Sequence, residues 1–282
     1  MKVVRTPHEL RQTLKSFGSS VTIGMVPTMG NLHDGHVELV RRAKTDCDVV
    51  VTTLFVNPLQ FGENEDLESY PRTFEADCRI LETLGVETLF CPTTETMYPR
   101  GHTLQTATIV PELGNTLCGE NRPGHFDGVT TVVTKLFNLV QPDKAYFGEK
   151  DWQQLAIIRK LVFDLNFPID TIGVATVRTH DNLALSSRNQ YLSESERRLA
   201  PQLYRQLCSV RDSIQAGNTD YSSEEEKAMN ALSALGFRPD YVGVRDADTL
   251  DYPRGNSDNL RIFGAAYLGR ARLIDNVPVG LA

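Results

Sequence analysis

Pro27-Thr28-Met29-Gly30-Asn31-Leu32-His33-Asp34-Gly35-His36 stands between two segments of different period. Before it, Val21-Thr22-Ile23-Gly24-Met25-Val26 is short and apolar, the length of a buried strand. After it, apolar residues at 37, 39, 40 and 43 fall on one face of a helix. A strand, a glycine-bearing turn and a helix start together aim free backbone N–H groups and the positive end of the helix dipole at one point. An anion is the natural guest there. Gly30 and Gly35 allow a ligand to approach the backbone closely. His33 and His36 lie three apart and share a helix face. Beside a phosphate, two imidazoles can donate hydrogen bonds to oxygens that gain charge in a transition state. Histidine is scarce, 6 in 282 residues, so two of them around one glycine at a helix start single the segment out.

The alternation of strand and helix continues outward. Residues 47–56 form a β-branched run that reads as a buried parallel strand and stops at Asn57-Pro58. A loop carrying Gln60 and an acidic patch over 63–68 follows. The spacing predicts a helix over 73–84 and a strand over 86–91. Residues 104–110 alternate as an exposed strand would, and 114–125 read as a long loop, a type that often carries function. Residues 129–140 are helical, and 144–147 form a strand ending at Gly148-Glu149-Lys150-Asp151. A helix over 152–165 and a strand over 169–177 complete the pattern. The prediction is an α/β fold with a doubly wound parallel sheet over residues 1–177, whose ligands sit at the carboxyl ends of its strands. His33, Gln60 and Lys150 each follow such an end.

After 177 the pattern changes. Ser193 and Glu196 make a capping box at the start of a helical stretch reaching about 214. A polar linker over 217–223 and a helix over 224–235 follow. Short apolar segments at 240–244, 260–263 and 271–274 predict antiparallel strands. Residues 178–282 thus read as a smaller C-terminal α+β domain, hinged near 177.

Composition narrows the partners. The net charge of −7 argues against nonspecific nucleic-acid binding. No apolar stretch nears the length of a membrane span, and the first residues do not resemble a signal peptide, so a cytoplasmic protein without a membrane partner is expected. Five cysteines, an odd number with no C-x-x-C pair, read as reduced thiols. Neither G-x-G-x-x-G nor G-x-x-x-x-G-K-[ST] occurs, so a nucleotide must be held in another way. Lys150 at a strand end can balance phosphate charge, and Asp151 can take ribose hydroxyls. Leu185-Ser186-Ser187-Arg188-Asn189 places two hydroxyls beside a planar guanidinium, a compact clamp for phosphate oxygens. Gln60 and Gln154 are uncharged donor–acceptors suited to a small hydroxy acid. Each of these features alone is common among solvated loops.

Taken in order, the histidine turn, Phe55-Val56-Asn57-Pro58-Leu59-Gln60-Phe61, Arg122-Pro123-Gly124-His125-Phe126, Tyr146-Phe147-Gly148-Glu149-Lys150-Asp151 and Leu183-Ala184-Leu185-Ser186-Ser187-Arg188-Asn189 closely resemble the pantothenate synthetases (pantoate–β-alanine ligases, AMP-forming). The resemblance continues through Tyr241-Val242-Gly243-Val244-Arg245-Asp246-Ala247-Asp248 and Ala271-Arg272-Leu273-Ile274-Asp275-Asn276. The histidine turn is also similar to the HIGH motif of class I aminoacyl-tRNA synthetases and other nucleotidyltransferases. Ser186-Ser187-Arg188 sits where that superfamily has its KMSKS loop.

The resemblance implies a Rossmann-like domain under a smaller lid. It implies ATP-dependent condensation of (R)-pantoate with β-alanine through an enzyme-bound pantoyl adenylate. His36, His33 and Lys150 would be catalytic. Met29, Gly30, Asn31, Leu32, His33, Asp34, Gly35, His36, Gly148, Glu149, Lys150, Asp151, Val177 and Leu185 would frame ATP, with Ser186, Ser187 and Arg188 on its phosphates. Gln60 and Gln154 would bind pantoate, with Asn57 nearby. Mg²⁺ would ride on the phosphates without a protein metal site, and the protein would be a homodimer. One departure stands out: the resemblance leads to a glycine where this chain has Asn182, a residue that tolerates the left-handed backbone. Two other readings share the motifs. A different HIGH-motif nucleotidyltransferase would keep AMP in its product and would not need Gln60 and Gln154. A non-catalytic nucleotide-binding protein would usually have lost His33, His36 or Lys150.

Overall fold

Lys2–Val4 (β1) opens the chain, and Thr6 then starts a helix over Pro7–Ser16 (α1). The Thr6 hydroxyl accepts the Glu9 N–H, and the Glu9 carboxylate accepts the Thr6 N–H, with proline in the first turn. Such a cap contributes about 1 kcal/mol. The computed structural model describes residues 1–62, 65–254 and 259–280. Glu63 and Asn64, part of the expected acidic loop, lie outside them.

The decisive stretch folds as its period requires. Ile23–Thr28 (β2) leads through the turn into Asp34–Asp46 (α2), and Val49–Leu54 (β3) is buried along its whole length. After a 3-10 turn at Pro58–Gln60 come Phe74–Thr83 (α3), Thr88–Phe90 (β4) and Thr94–Met97 (α4). Cys118–Asn121 (α5) and His125–Val140 (α6) precede Lys144–Gly148 (β5). A 3-10 turn at Glu149–Asp151, Trp152–Asp164 (α7) and Asp170–Val174 (β6) complete this part. The six strands form one parallel sheet in the order β1-β4-β3-β2-β5-β6, as a doubly wound α/β fold demands. The chain runs from β2 to β3 on one side and later returns to add β5 on the other. The crevice outside the carboxyl ends of β2 and β5 is therefore the switch point where such sheets bind ligands.

The remainder builds on a second, antiparallel sheet. Glu194–Leu199 (α8), Gln202–Gln215 (α9) and Tyr221–Ala234 (α10) pack on Arg238–Asp246 (β7), Leu260–Leu268 (β8) and Ala271–Pro278 (β9). Leu203, Leu207, Leu232, Val244 and Ile262 are at the centre of its core. The sheets meet at Trp152. Its indole N–H donates to the Ala247 carbonyl at 2.7 Å, and the Arg261 guanidinium lies 3.4 Å from its ring centroid.

Three expectations are corrected. Residues 104–110 join no strand ladder. Instead, Thr108 gives its N–H to the Thr131 hydroxyl and takes the Thr130 hydroxyl on its carbonyl, which lays the segment over α6. Alternating polarity there has no buried face behind it: Leu104 is 69% exposed and Ile109 59%. The single helix expected over 193–214 breaks between α8 and α9, because Pro201 has no N–H and its ring obstructs the preceding turn. The Ser193–Glu196 capping box is present at its start. The last parallel strand stops at Val174 instead of 177.

Helix α6 packs on the Pro58–Gln60 turn so closely that a Cβ at Gly128 would lie 2.1 Å from the Leu59 carbonyl oxygen. Gly128→Ala is expected to destabilise the fold by about 1–3 kcal/mol through overpacking. Thermal denaturation checks this, and an unchanged midpoint would contradict the contact.

Candidate active site

His33 is the N-cap of α2, and His36 is its third residue. The Nδ1 atom of His33 accepts the Gly35 N–H at 3.2 Å, and that of His36 accepts the His33 N–H at 3.3 Å. Two imidazoles thus form a reciprocal cap, the role usually taken by Ser and Glu. A ring nitrogen that accepts carries no proton, so each neutral ring holds its proton on Nε2. Burial, helped by the charge of Lys150, lowers the pKa of His33 to about 4. Burial, with His33 and Lys150 beside it, lowers that of His36 to about 3. Both rings are neutral at pH 7, with centroids 4.1 Å apart. Gly35 makes room for this: a Cβ there would lie 2.9 Å from the His33 ring.

Three of the N–H groups expected to be free in the turn, those of Gly30, Asn31 and Leu32, are already taken. Buried Asp77, in the first turn of α3, accepts the Asn31 N–H at 2.9 Å and the Leu32 N–H at 2.8 Å, and the Thr73 hydroxyl donates to it at 3.1 Å. Gly30 gives its N–H to the Thr28 hydroxyl at 3.2 Å. An internal carboxylate thus occupies this part of the turn. Its hydrogen bonds hold Gly30 at φ +88° and Asn31 at φ +53°, and α2 then starts in a fixed position.

A cavity of about 250 Å³ opens at the carboxyl ends of β2 and β5. Met29, His33, Gly35 and His36 line it from one side, and Gly148, Lys150, Asp151 and Gln154 from the other. Gln60 faces it from the turn after β3. Val177, Leu185, Ser186, Ser187 and Arg188 reach it from the segment that joins the two sheets. The expected framing residues Gly30, Asn31, Leu32, Asp34 and Glu149, and the expected pantoate neighbour Asn57, do not line it. The first three are drawn to Asp77 and Thr28 by their backbone, and the Glu149 carbonyl is bound by Asn276.

Asn57 is fully buried and works behind Gln60. Its Oδ1 accepts from the Tyr98 hydroxyl at 2.8 Å and the Leu59 N–H at 3.3 Å. Its Nδ2 donates to the Gly128 carbonyl at 3.0 Å and to Gln60 Oε1 at 2.9 Å. Backbone partners fix which end of Asn57 is which, so Gln60 Oε1 must be the acceptor and its NH₂ is left for the cavity. The Gln60 backbone is fixed as well. Arg122 donates to its carbonyl at 3.2 Å and to His125 Nε2 at 2.9 Å, while His125 Nδ1–H donates to the same carbonyl at 2.7 Å. Neighbouring Gln153 is buried and ties down the loop over 113–118, so only Gln154 faces the cavity.

The far wall is closed onto this side. The Ser187 hydroxyl donates to the Asn31 carbonyl at 3.2 Å. Arg188 donates to Asp66 at 2.9 Å, and the Tyr191 hydroxyl donates to the same carboxylate at 3.2 Å. Lys150 is mostly buried and makes only a long contact, 3.6 Å, to Asp151. Asn182 adopts φ +74°, the left-handed backbone that the glycine comparison anticipated.

A family model described as pantoate-beta-alanine ligase matches residues 2–278. The chain belongs to the pantoate–β-alanine ligase family. It is 53% identical to the pantothenate synthetase of Pseudomonas putida KT2440, with 100% of this chain and 98% of that one aligned. With that of Marinobacter nauticus the identity is 51%, over 99% of each. The crystal structure of pantothenate synthetase from Thermus thermophilus superposes with a TM-score of 0.93 at 45% identity over 100% of both chains. The pantoate–β-alanine ligase from Francisella tularensis, described as complexed with β-γ ATP and β-alanine, gives 0.84 at 34% identity, covering 100% of this chain and 99% of that one.

Within this family member, reasoning from sequence missed Asp77, Asp66, Tyr98 and the work of Arg122 and His125. The Arg122–Phe126 segment contributes to the resemblance, yet nothing in its spacing tells that it clamps a glutamine from another loop. Burial, and then the Arg122 charge, lowers the pKa of His125 to about 4 as well. The unfolded chain protonates these three histidines near pH 6.5, whereas the folded chain does so only near 3 to 4. Stability is therefore retained above pH 6.5 and declines as the pH falls from there toward 4. Denaturation midpoints across that window should show the decline, and His125→Asn should flatten it. A slope unaffected by the substitution would contradict a neutral, buried His125.

Proposed function

We propose that the protein joins (R)-pantoate to β-alanine with ATP, releasing AMP and pyrophosphate, as a pantoate–β-alanine ligase. The observation that carries this reading is Gln60. Its side-chain carbonyl is committed to Asn57, and its NH₂ faces the same cavity as His33, His36 and Lys150. A nucleotidyltransferase acting on a phosphorylated substrate would be better served by a cation at that position. An uncharged donor opposite Gln154 suits the hydroxyl and carboxylate oxygens of a small hydroxy acid.

The chemistry follows from the geometry. A pantoate carboxylate oxygen attacks the α-phosphorus of ATP, and the bond to the bridging oxygen breaks to release pyrophosphate. The amine of β-alanine then attacks the acyl carbonyl, loses a proton, and AMP leaves. Transfer at phosphorus needs alignment and charge stabilisation more than covalent help from the protein. His33 and His36 supply fixed Nε2–H donors to the α-phosphate oxygens, and Lys150 adds positive charge. Ser186, Ser187 and Arg188 hold the outer phosphates, with Arg188 exchanging Asp66 for phosphate oxygen. The closed wall keeps water from the adenylate.

The same reading includes Mg²⁺, brought in with ATP as substrate. Asp151 is the one carboxylate lining the cavity among the described residues, too few for a protein cage, so phosphate oxygens would hold the ion. It also includes a cytoplasmic homodimer and a lid beginning near residue 178. No described helix is long and apolar enough to cross a membrane. The exposed Leu104 and Ile109 offer apolar surface that a second copy can cover.

Exchange of labelled pyrophosphate into ATP, with pantoate present and β-alanine absent, tests the function. Exchange that requires pantoate is the expected result. Its absence in folded protein that binds ATP would overturn the reading. His36→Ala should lower the exchange rate on the order of 10²–10³-fold, the usual cost of one lost transition-state donor. Gln60→Ala should raise the pantoate requirement far more than that for ATP, and equal effects on both would remove Gln60 from the acid's site.

A further inference from the structure

The segment Ala271–Asn276 belongs to the family resemblance, and the reaction as described above leaves it without a task. Strand β9 alternates buried and half-buried residues as far as Ile274. Asp275, Asn276 and Val277 are then all buried, so the strand is covered on both faces at this point. On one face, the two Asp275 carboxylate oxygens accept from the Arg178 guanidinium at 2.6 and 2.8 Å, a bidentate pair. Arg178 in turn donates to the Asn182 carbonyl at 3.2 Å and pairs through its backbone with Ala184. It thus braces the hairpin that delivers Ser186, Ser187 and Arg188. On the other face, Asn276 Nδ2 donates to the carbonyls of both Glu149 and Lys150, each at 2.9 Å. Its Oδ1 accepts from Arg261, whose guanidinium stacks on Trp152. Backbone partners fix the orientation of the Asn276 amide, and all of its polar capacity toward the 3-10 turn is used.

We infer that Asp275 and Asn276 are positioning residues for the reaction, holding the loop of Lys150 and the loop of Ser186–Arg188 in register from one strand of the small sheet. The inference rests on Lys150 serving the triphosphate, as proposed above. Lys150 has no close ion pair among the described residues, and its backbone is tied to the second sheet by Asn276. Successive strand residues point to opposite faces. Two adjacent side chains can therefore reach two different loops, and neither loop can shift without disturbing the same strand. A positively charged group displaced by about 1 Å from a reacting phosphate loses on the order of 10²-fold in rate.

The test is a double-mutant cycle between Asn276→Ala and Lys150→Ala, read by ATP affinity in calorimetry and by pantoate-dependent pyrophosphate exchange. In the Lys150 background, Asn276→Ala should weaken ATP binding and slow exchange by on the order of 10–100-fold, while the KM for pantoate changes little. In the Lys150→Ala background the same substitution should have little further effect. Asn276→Asp is the companion variant. It keeps an acceptor for Arg261 but sets an oxygen against the two carbonyls in place of both donors, so, assayed below its melting temperature as folded protein, it should reproduce the defect. Wild-type behaviour of the Asp variant, or losses of equal size in both backgrounds, would overturn the inference. If the parent protein binds ATP but shows no pantoate-dependent exchange, the proposed function fails alone, and the ATP-affinity cycle still decides this point. If it binds no ATP, both fall.

Discussion

The first turn of α2 has to satisfy its own backbone before it can act on anything else. A helix start leaves N–H groups without partners. Here His36 takes the N–H of His33, and His33 takes that of Gly35, each through Nδ1. The consequence reaches the chemistry directly. Once Nδ1 is committed as an acceptor, the proton of each ring must sit on Nε2. Burial and the charge of Lys150 then keep the rings neutral. The residues that cap the helix are the same ones that line the cavity, and the cap fixes which ring nitrogen of each carries the proton there.

The rest of the site extends this arrangement. Asp77 accepts the Asn31 and Leu32 N–H groups just ahead of the histidines, so the backbone there is a rigid support. Gln60 is held on both ends: its side chain by Asn57, and its carbonyl by Arg122 and His125. Each of these supports is itself satisfied. Asn57 has four partners, and the Tyr98 hydroxyl, whose pKa burial pushes up, remains a donor. Buried polar networks of this kind are costly when incomplete and specify one geometry when complete. A pantoate–β-alanine ligase needs that rigidity, because phosphorus transfer responds steeply to alignment.

Much of this was legible in the sequence. The change of period around residues 27–36 locates the strand, turn and helix, and the β-branched run of β3 announces a central parallel strand. Lys150 could be placed at the sheet's ligand edge because a short apolar run precedes it. Local pattern could not say what fills the turn, since Asp77 lies about 45 residues downstream on an ordinary helix face. It could not separate Asn57 from Gln60 either: both are polar amides in one loop, and only the Gly128 carbonyl and Tyr98 decide which one is buried. β1 went unread because only one of its three residues is buried. By contrast, the break at Pro201 was visible in the sequence and was overridden by the amphipathic pattern on either side of it.

The most direct measurement is nitrogen NMR of the ring atoms of His33 and His36 in the ligand-free protein at pH 7, assigned through His33→Gln and His36→Gln. The predicted result, for both rings, is an unprotonated Nδ1 and a protonated Nε2, persisting unchanged down to about pH 5, above the lowered pKa values of both rings. An imidazolium signature at pH 7, or a proton on Nδ1 of either ring, would contradict the capping geometry and with it the placement of the site's donors.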